Sequence, residues 1–268
     1  MTPTTPLRRI TTRAGSLAVR DEGAGVPVVF WPSLFSDHHL YAHVRPLLRG
    51  WRVVCIDGPG FGESDPPRGD VQADVYADAV LEVLDALGVG EAFVAGCSWG
   101  GQVAVQAGVR APSRVKGVLA MNTPLGPSRG GHLFERLGTR WLGATRFWGD
   151  GVGRSMFSAA TKRAHPERVA AFSEAFTRFD ARAAAATVRT VLTRSEGFTA
   201  VLPRLSVPAT FLLGEEDQLY PVAHLRPLAQ LAPLATVEVV PGCGHLAPLE
   251  APEAVATALR RLAKAPGA

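Results

Sequence analysis

The chain has 268 residues, 47% of them hydrophobic and 19% charged, with a net charge of +4. This composition excludes a disordered or fibrous chain and leaves enough length to bury one large core. The positive charge is spread: residues 126–200 carry 12 Lys/Arg against 6 Asp/Glu, the remainder 16 against 18, with no basic run, so no nucleic-acid stripe is expected.

In chain order, "LRRITTRAGSLAVRDEG" reads as two strands joined at Ala14-Gly15, a hairpin. "PVVFW" (27–31) is a short apolar run that suits a buried strand. "HHLYAHVRPLL" places Leu40, Val44, Leu47 and Leu48 at helical spacing. "WRVVCID" (51–57) is a second buried strand, and "VYADAVLEVLDAL" a helix that stops at Gly88. "EAFVAGC" reads as a strand, "GGQVAVQAGVRA" as a helix and "RVKGVLAMN" as a strand. Residues 125–200 are then Arg- and Ala-rich and helical, with no convincing strand. Alternation resumes with strand "VPATFLLG", helix "VAHLRPLAQLA", strand "ATVEVVPG" and helix "PEAVATALRRLAKA".

Alternating strands and helices predict an α/β fold with a mostly parallel central sheet flanked by helices. Residues 1–124 and 201–268 form its core, and 125–200 are a helical block inserted in it, expected to act as a cap. Within the block, Trp141, Phe147, Trp148 and Phe157 either line an apolar site or pack the helices together.

Cys55, Cys97 and Cys243 are widely spaced, with no CxxC pair, so neither a disulfide framework nor a zinc site is indicated. Cys97 is expected to point into the core and Cys243 to fill a loop. "MTPTTPLRRITTR" lacks an apolar core, and no apolar run reaches the roughly 18 residues of a membrane span. A reduced, cytoplasmic protein without membrane contact is the expectation.

"GPGFGES" (58–64) follows a strand, as a dinucleotide-binding loop does. The third glycine of that fingerprint falls at Glu63, however, and Pro59 removes a donor N–H. Gly58, Gly60 and Gly62 are read instead as supplying unusual backbone angles for a sharp turn, and no cofactor or metal is expected.

"GCSWG" (96–100) matches G-x-S-x-G in a telling context: a strand ends at Cys97 and a helix begins at Trp99. So sharp a turn strains Ser98 and demands small neighbours, which Gly96 and Gly100 are. The Ser98 hydroxyl then stands at the carboxyl edge of the sheet, where open α/β sheets bind ligands. The amide of Trp99 opens the helix and points at an oxyanion formed beside Ser98.

A serine nucleophile needs a base. His245 in "PGCGHLAPLEAPEAV" follows the last strand, between two glycines and a helix, and is the candidate. His38, His39 and His43 start the early predicted helix and are expected to face solvent; His132, His165 and His224 lack a comparable context. The base needs an orienting acid. In "LLGEEDQLYP" that is Asp217, from a short loop that lets it turn back to the sheet edge, while Glu215 and Glu216 lead away. The other position for such an acid, after "GVLAMN", holds Asn122, which carries no charge.

The order Ser98…Asp217…His245 resembles the triad order of the α/β-hydrolase fold superfamily. That resemblance covers nearly the whole chain through "DGPGFGESD", "GCSWGG", "GEEDQLYPV" and "GCGHLAPLEAPEAV". Many members carry His-Gly after the third strand; this chain has Pro32-Ser33, in "FWPSLFSDHHLY". This version is similar to the Asn-Ser-Leu-Gly-Thr-Asp of 3-oxoadipate enol-lactonases: Ser33, Leu34 and Asp37 match, Pro32 and Phe35 do not. The alignment implies that the backbone N–H of Leu34 is the second oxyanion donor. "HPERVAAFSEAF" also resembles those lactonases, whereas their Arg-Trp-Phe cap element is absent.

The resemblance implies a serine hydrolase whose partner is a small-molecule ester or lactone. Dehalogenases and epoxide hydrolases of this fold use aspartate where this chain has Ser98. Cofactor-free haloperoxidase- or perhydrolase-like members and carbon–carbon bond hydrolases use serine and stay open as alternatives. So does a ligand-sensing receptor that keeps the triad.

Overall fold

The computed structural model describes residues 6–67, 73–126 and 146–268. Its centre is an eight-stranded sheet built from β1 (Arg8–Thr12), β2 (Gly15–Gly23), β3 (Val26–Trp31), β4 (Trp51–Ile56), β5 (Ala92–Cys97), β6 (Val115–Met121), β7 (Ala209–Gly214) and β8 (Ala235–Val240). The order across the sheet is β1-β2-β4-β3-β5-β6-β7-β8. β1 and β2 form the expected antiparallel hairpin, β2 pairs antiparallel with β4, and the pairs from β4 to β8 are parallel.

The helices α1 (Ala73–Ala86), α2 (Trp99–Arg110), α7 (Val222–Ala229), α8 (Ala247–Glu250) and α9 (Pro252–Leu262) flank the sheet. Neighbouring residues of a strand point to opposite faces. On β6, Gly117 lies against Leu262 of α9 and Val118 lies against Gly108 of α2. The two helices therefore cover opposite faces. Covered twice, the central strand β5 is buried at all its positions, which is why "AFVAGC" is apolar without alternation.

Between β6 and β7 the described residues form α3 (Arg146–Met156), α4 (Ala159–Ala164), α5 (Pro166–Phe176) and α6 (Ala181–Arg194), then a 3₁₀ segment over Ser195–Arg204. No strand occurs among them. Phe157 is buried against Phe172 in an edge-to-face pair, whereas Phe147 is exposed. Trp141, His132 and the side chain of Trp148 lie outside the described residues.

"HHLYAHVRPLL" departs from expectation. Instead of an α-helix it forms two 3₁₀ turns, His38–Tyr41 and Arg45–Leu47. Asp37 accepts from His39 N, which starts the first turn, and Pro46 has no N–H with which to continue a helix. Leu40, Val44 and Leu48 are buried all the same, so the apolar spacing reported burial rather than the hydrogen-bond type.

Parallel strands β3, β5, β6, β7 and β8 end within two residues of one another, with Trp31 opposite Gly96, Cys97 opposite Met121, Met121 opposite Leu212 and Gly214 opposite Val240. The loops that start at Pro32, Ser98, Asn122, Glu215 and Pro241 thus leave one edge of the sheet. Chain order reverses between β3 and β5, so the loops after them diverge and open a crevice at that edge. No helix among the described residues is long and apolar enough to cross a membrane.

Candidate active site

Ser98 stands at that switch point, between the end of β5 and the start of α2, with φ 54° and ψ −118°. Its backbone N–H donates to Met121 O over 2.8 Å. The flanking glycines are required by close approach: a Cβ on Gly96 would run into the Gly100 carbonyl, and one on Gly100 into the Trp31 carbonyl. The strand-to-helix corner therefore closes only with this sequence.

Among the described residues, Phe35, Ser98 and Asn122 are the non-glycine residues at positive φ, at 62°, 54° and 46°. They follow β3, β5 and β6, so this left-handed strain among the described residues gathers along one sheet edge. Such clustering marks positions held by surrounding structure for a purpose other than stability.

The loops after β7 and β8 carry Asp217 and His245, the candidate acid and base. His245 Nδ1 lies 2.8 Å from Asp217 Oδ2, and both side chains are buried. Asp217 Oδ1 accepts from Leu219 N at 2.9 Å and Tyr220 N at 3.0 Å. These amides hold the carboxylate so that its other oxygen faces the ring. A neutral imidazole that donates from Nδ1 presents Nε2 as an acceptor. The Tyr220 ring lies beside the imidazole, with centroids 5.6 Å apart.

The His245 peptide is held from both sides. Its carbonyl accepts from Asn122 Nδ2 at 2.7 Å and from the Cys97 thiol at 3.4 Å. Its amide donates to Met156 O, at the end of α3, over 2.7 Å. Asn122 also donates to Gly244 O and accepts from Gly214 N, at 2.7 and 2.6 Å. One buried amide thus joins the ends of β6 and β7 to the histidine loop. In the sequence Asn122 stands out only as an uncharged residue at an acid position. A buried polar residue directly after an apolar strand was the signal, since such a group must find partners.

Trp99, the first residue of α2, has an amide in the first helical turn, where N–H groups lack intrahelical partners. Its ring packs edge-on against Trp31 and Tyr76. Gly58 lies under that ring, where a Cβ would stand 2.7 Å from two ring carbons; it is Gly60 and Gly62 that adopt positive φ. Leu34 is buried in the loop after β3, and Pro32 O of that loop lies against Gly100, so this loop and the serine corner are in contact.

His38 corrects the sequence reading. His39 and His43 are exposed as expected, but His38 is buried. Asp57 Oδ1 accepts from its backbone N–H and lies 2.7 Å from its Nδ1, while Arg20 Nη2 lies 3.2 Å from its Nε2. A guanidinium only donates, so Nε2 accepts and the proton sits on Nδ1. Asp57 Oδ2 also accepts from Glu63 N at 2.9 Å. This second His–Asp pair fastens the loop of Leu34 to the "GPGFGES" turn. Asp37, His38 and His39 are close enough to share a cation, but both His38 nitrogens are engaged and one faces a guanidinium. Burial pushes Asp37 up, and the hydrogen bond and charge of His39 outweigh it, so its carboxyl is held below the ordinary value.

The three cysteines are free and buried. Burial, helped by the Asp217 charge, holds the Cys97 thiol well above its ordinary value. Burial likewise raises Cys55 to about 12 and pushes Cys243 up.

Residues 26–252 match the family model described as alpha/beta hydrolase fold. Among solved structures, an esterase from Thermogutta terrifontis, described with malate bound, superposes with a TM-score of 0.87 at 27% identity, over 97% of this chain and 98% of that one. Among curated proteins, the 2-hydroxy-6-oxononadienedioate/2-hydroxy-6-oxononatrienedioate hydrolase of a Pseudomonas species is 26% identical over 264 residues, 88% of this chain and 87% of that one. Haloalkane dehalogenase 2 of Mycobacterium bovis is 33% identical over 116 residues, 42% of this chain, and the match spans only 41% of the dehalogenase.

Proposed function

From its membership of the alpha/beta hydrolase fold family, to which this chain belongs through residues 26–252, we propose that it is a serine hydrolase that cleaves an ester or lactone bond of a small molecule. The observation that carries the reading is the buried Asp217–His245 pair, bonded over 2.8 Å, on loops that leave the same sheet edge as the strained Ser98.

Ser98 Oγ attacks the substrate carbonyl carbon as His245 Nε2 takes its proton. The amides of Trp99 and Leu34 donate to the developing oxyanion. The tetrahedral intermediate collapses to an acyl-enzyme, and His245 protonates the leaving oxygen. His245 then takes a proton from water, which attacks the acyl carbon; the bond to Ser98 Oγ breaks as His245 returns that proton to Ser98, and the acid leaves. Asp217 fixes the imidazole tautomer and stabilises the imidazolium.

In this reading the helices from Arg146 to Arg194 are a cap over Ser98. Its docking contacts support it: Met156 O accepts from His245 N at 2.7 Å, and Thr187 Oγ1 donates to Pro59 O at 2.7 Å. The +6 charge of residues 126–200 suits a substrate that carries a carboxylate.

Turnover of an ester, lactone and thioester panel by the wild type and Ser98→Ala tests the reading. Loss of several powers of ten in Ser98→Ala is expected, and activity within about tenfold of the wild type sinks the assignment. Neutral and acidic esters matched in size belong in that panel, since equal rates remove the carboxylate preference. A second reading, a carbon–carbon bond hydrolase using the same serine, is favoured by the Pseudomonas relative. Including the compounds for which that relative is named separates the two.

A further inference from the structure

Two glutamates that the mechanism leaves aside converge on one turn, Met156–Ala159, between α3 and α4. Glu250 ends α8, five residues after His245. Its Oε1 accepts from Leu246 N at 3.1 Å and its Oε2 from Ser158 N at 2.8 Å. His245 N donates to Met156 O at 2.7 Å. These three bonds and the short chain between them close a ring: Glu250 to Leu246, His245 to Met156, Ser158 back to Glu250. Gly244 allows this approach, since a Cβ there would stand 2.6 Å from Ser158 N and 2.9 Å from both Met156 O and Glu250 Oε1. Glu216 grips the same turn from outside, its Oε2 accepting from Ala159 N at 3.0 Å in an exposed contact.

We infer that Glu250 is a positioning residue for His245: by bridging Leu246 N and Ser158 N it fixes the base's own peptide against the turn Met156–Ser158. The inference rests on the reading of His245 as the base. In the ring, Glu250 alone takes part through its side chain, and a carboxylate is suited to it because each oxygen accepts one backbone N–H. Glutamine offers one oxygen, and its NH₂ would face the other amide donor to donor. The peptide freed in that way is next to the imidazole that must meet Ser98, so the loss falls on the chemical step rather than on substrate capture. The Glu250 charge also reaches the thiols of Cys97 and Cys243, which puts it in the immediate surroundings of the serine and histidine loops.

The test compares Glu250→Gln, Glu216→Gln and Ser98→Ala with the wild type in the full chain, using the fastest ester of the panel. Active sites are counted by stoichiometric reaction with a fluorophosphonate, so that kcat refers to competent molecules only. Glu250→Gln is expected to lower kcat per site about tenfold or more while KM stays within about threefold, because small misplacements of reacting groups cost rate. Glu216→Gln loosens the same turn but leaves the backbone bond from Glu216 N to Cys243 O in place, and is expected to keep kcat within about twofold of wild type. Unchanged kcat per site in Glu250→Gln, or a change in KM alone, overturns the inference. An equal fall in both glutamate variants also overturns it, since that would mean general docking of the helices. Should Glu250→Gln not accumulate folded, Glu250→Asp is measured against the same limits: it keeps the charge, but one methylene less of reach leaves it at most one amide. Full activity in Ser98→Ala would instead mark failure of the hydrolase reading itself.

Discussion

Asn122 donates from Nδ2 to the carbonyl oxygen of His245 over 2.7 Å. The same side chain holds Gly244 O and Gly214 N, so the ends of β6 and β7 and the histidine loop meet on one buried amide. Asn122→Ala removes all three bonds and leaves buried backbone groups without partners. We expect a loss of about 3 kcal/mol in urea unfolding, with kcat reduced in the protein that stays folded.

Among the described residues are two buried His–Asp pairs of nearly the same geometry, Asp217–His245 at 2.8 Å and Asp57–His38 at 2.7 Å. They are expected to separate cleanly under substitution. Asp217→Asn keeps an acceptor for Leu219 and Tyr220 but turns the imidazole to the wrong tautomer, so the fold survives and kcat falls about 10⁴-fold. Asp57→Asn sets an NH₂ against donors in a buried site, costing about 2–3 kcal/mol in denaturant unfolding. Because the pair acts on the site only by holding the loop of Leu34, its kcat per folded molecule is expected to fall far less than that of Asp217→Asn.

What the sequence disclosed about this site follows from local geometry. Gly96, Ser98 and Gly100 could be read because a sharp strand-to-helix corner restricts residue size within five positions. Asp217 and His245 were legible from their places after strands. Asn122 and Glu250 were not, since His245 O and Ser158 N come within their reach only in the folded chain. His38 was misplaced because an apolar-spaced segment looks helical whether or not its backbone continues past Pro46. Its partner Asp57 reads in the sequence as the last residue of the strand "WRVVCID", whereas β4 ends at Ile56 and Asp57 opens the loop.

The thiols yield a prediction about pH. Burial raises the folded-state pKa of Cys55 to about 12 from an ordinary value of 9.0. A neutral group whose folded pKa is raised contributes stability that is present below its unfolded pKa and is lost as pH climbs towards the folded one. Tm is therefore expected to decline above about pH 9 from this source. At pH 8 the native protein should leave a thiol reagent such as dithionitrobenzoate unreacted, and unfolding should release all three cysteines. Rapid labelling of a cysteine in the native state would contradict this account of their burial.

The most direct test of the account is intact-protein and peptide mass spectrometry after reaction with a fluorophosphonate. One adduct per chain is expected, on the peptide carrying Ser98, formed in step with loss of ester hydrolysis and absent from Ser98→Ala. An adduct elsewhere, or full hydrolytic activity after stoichiometric labelling of Ser98, would contradict it.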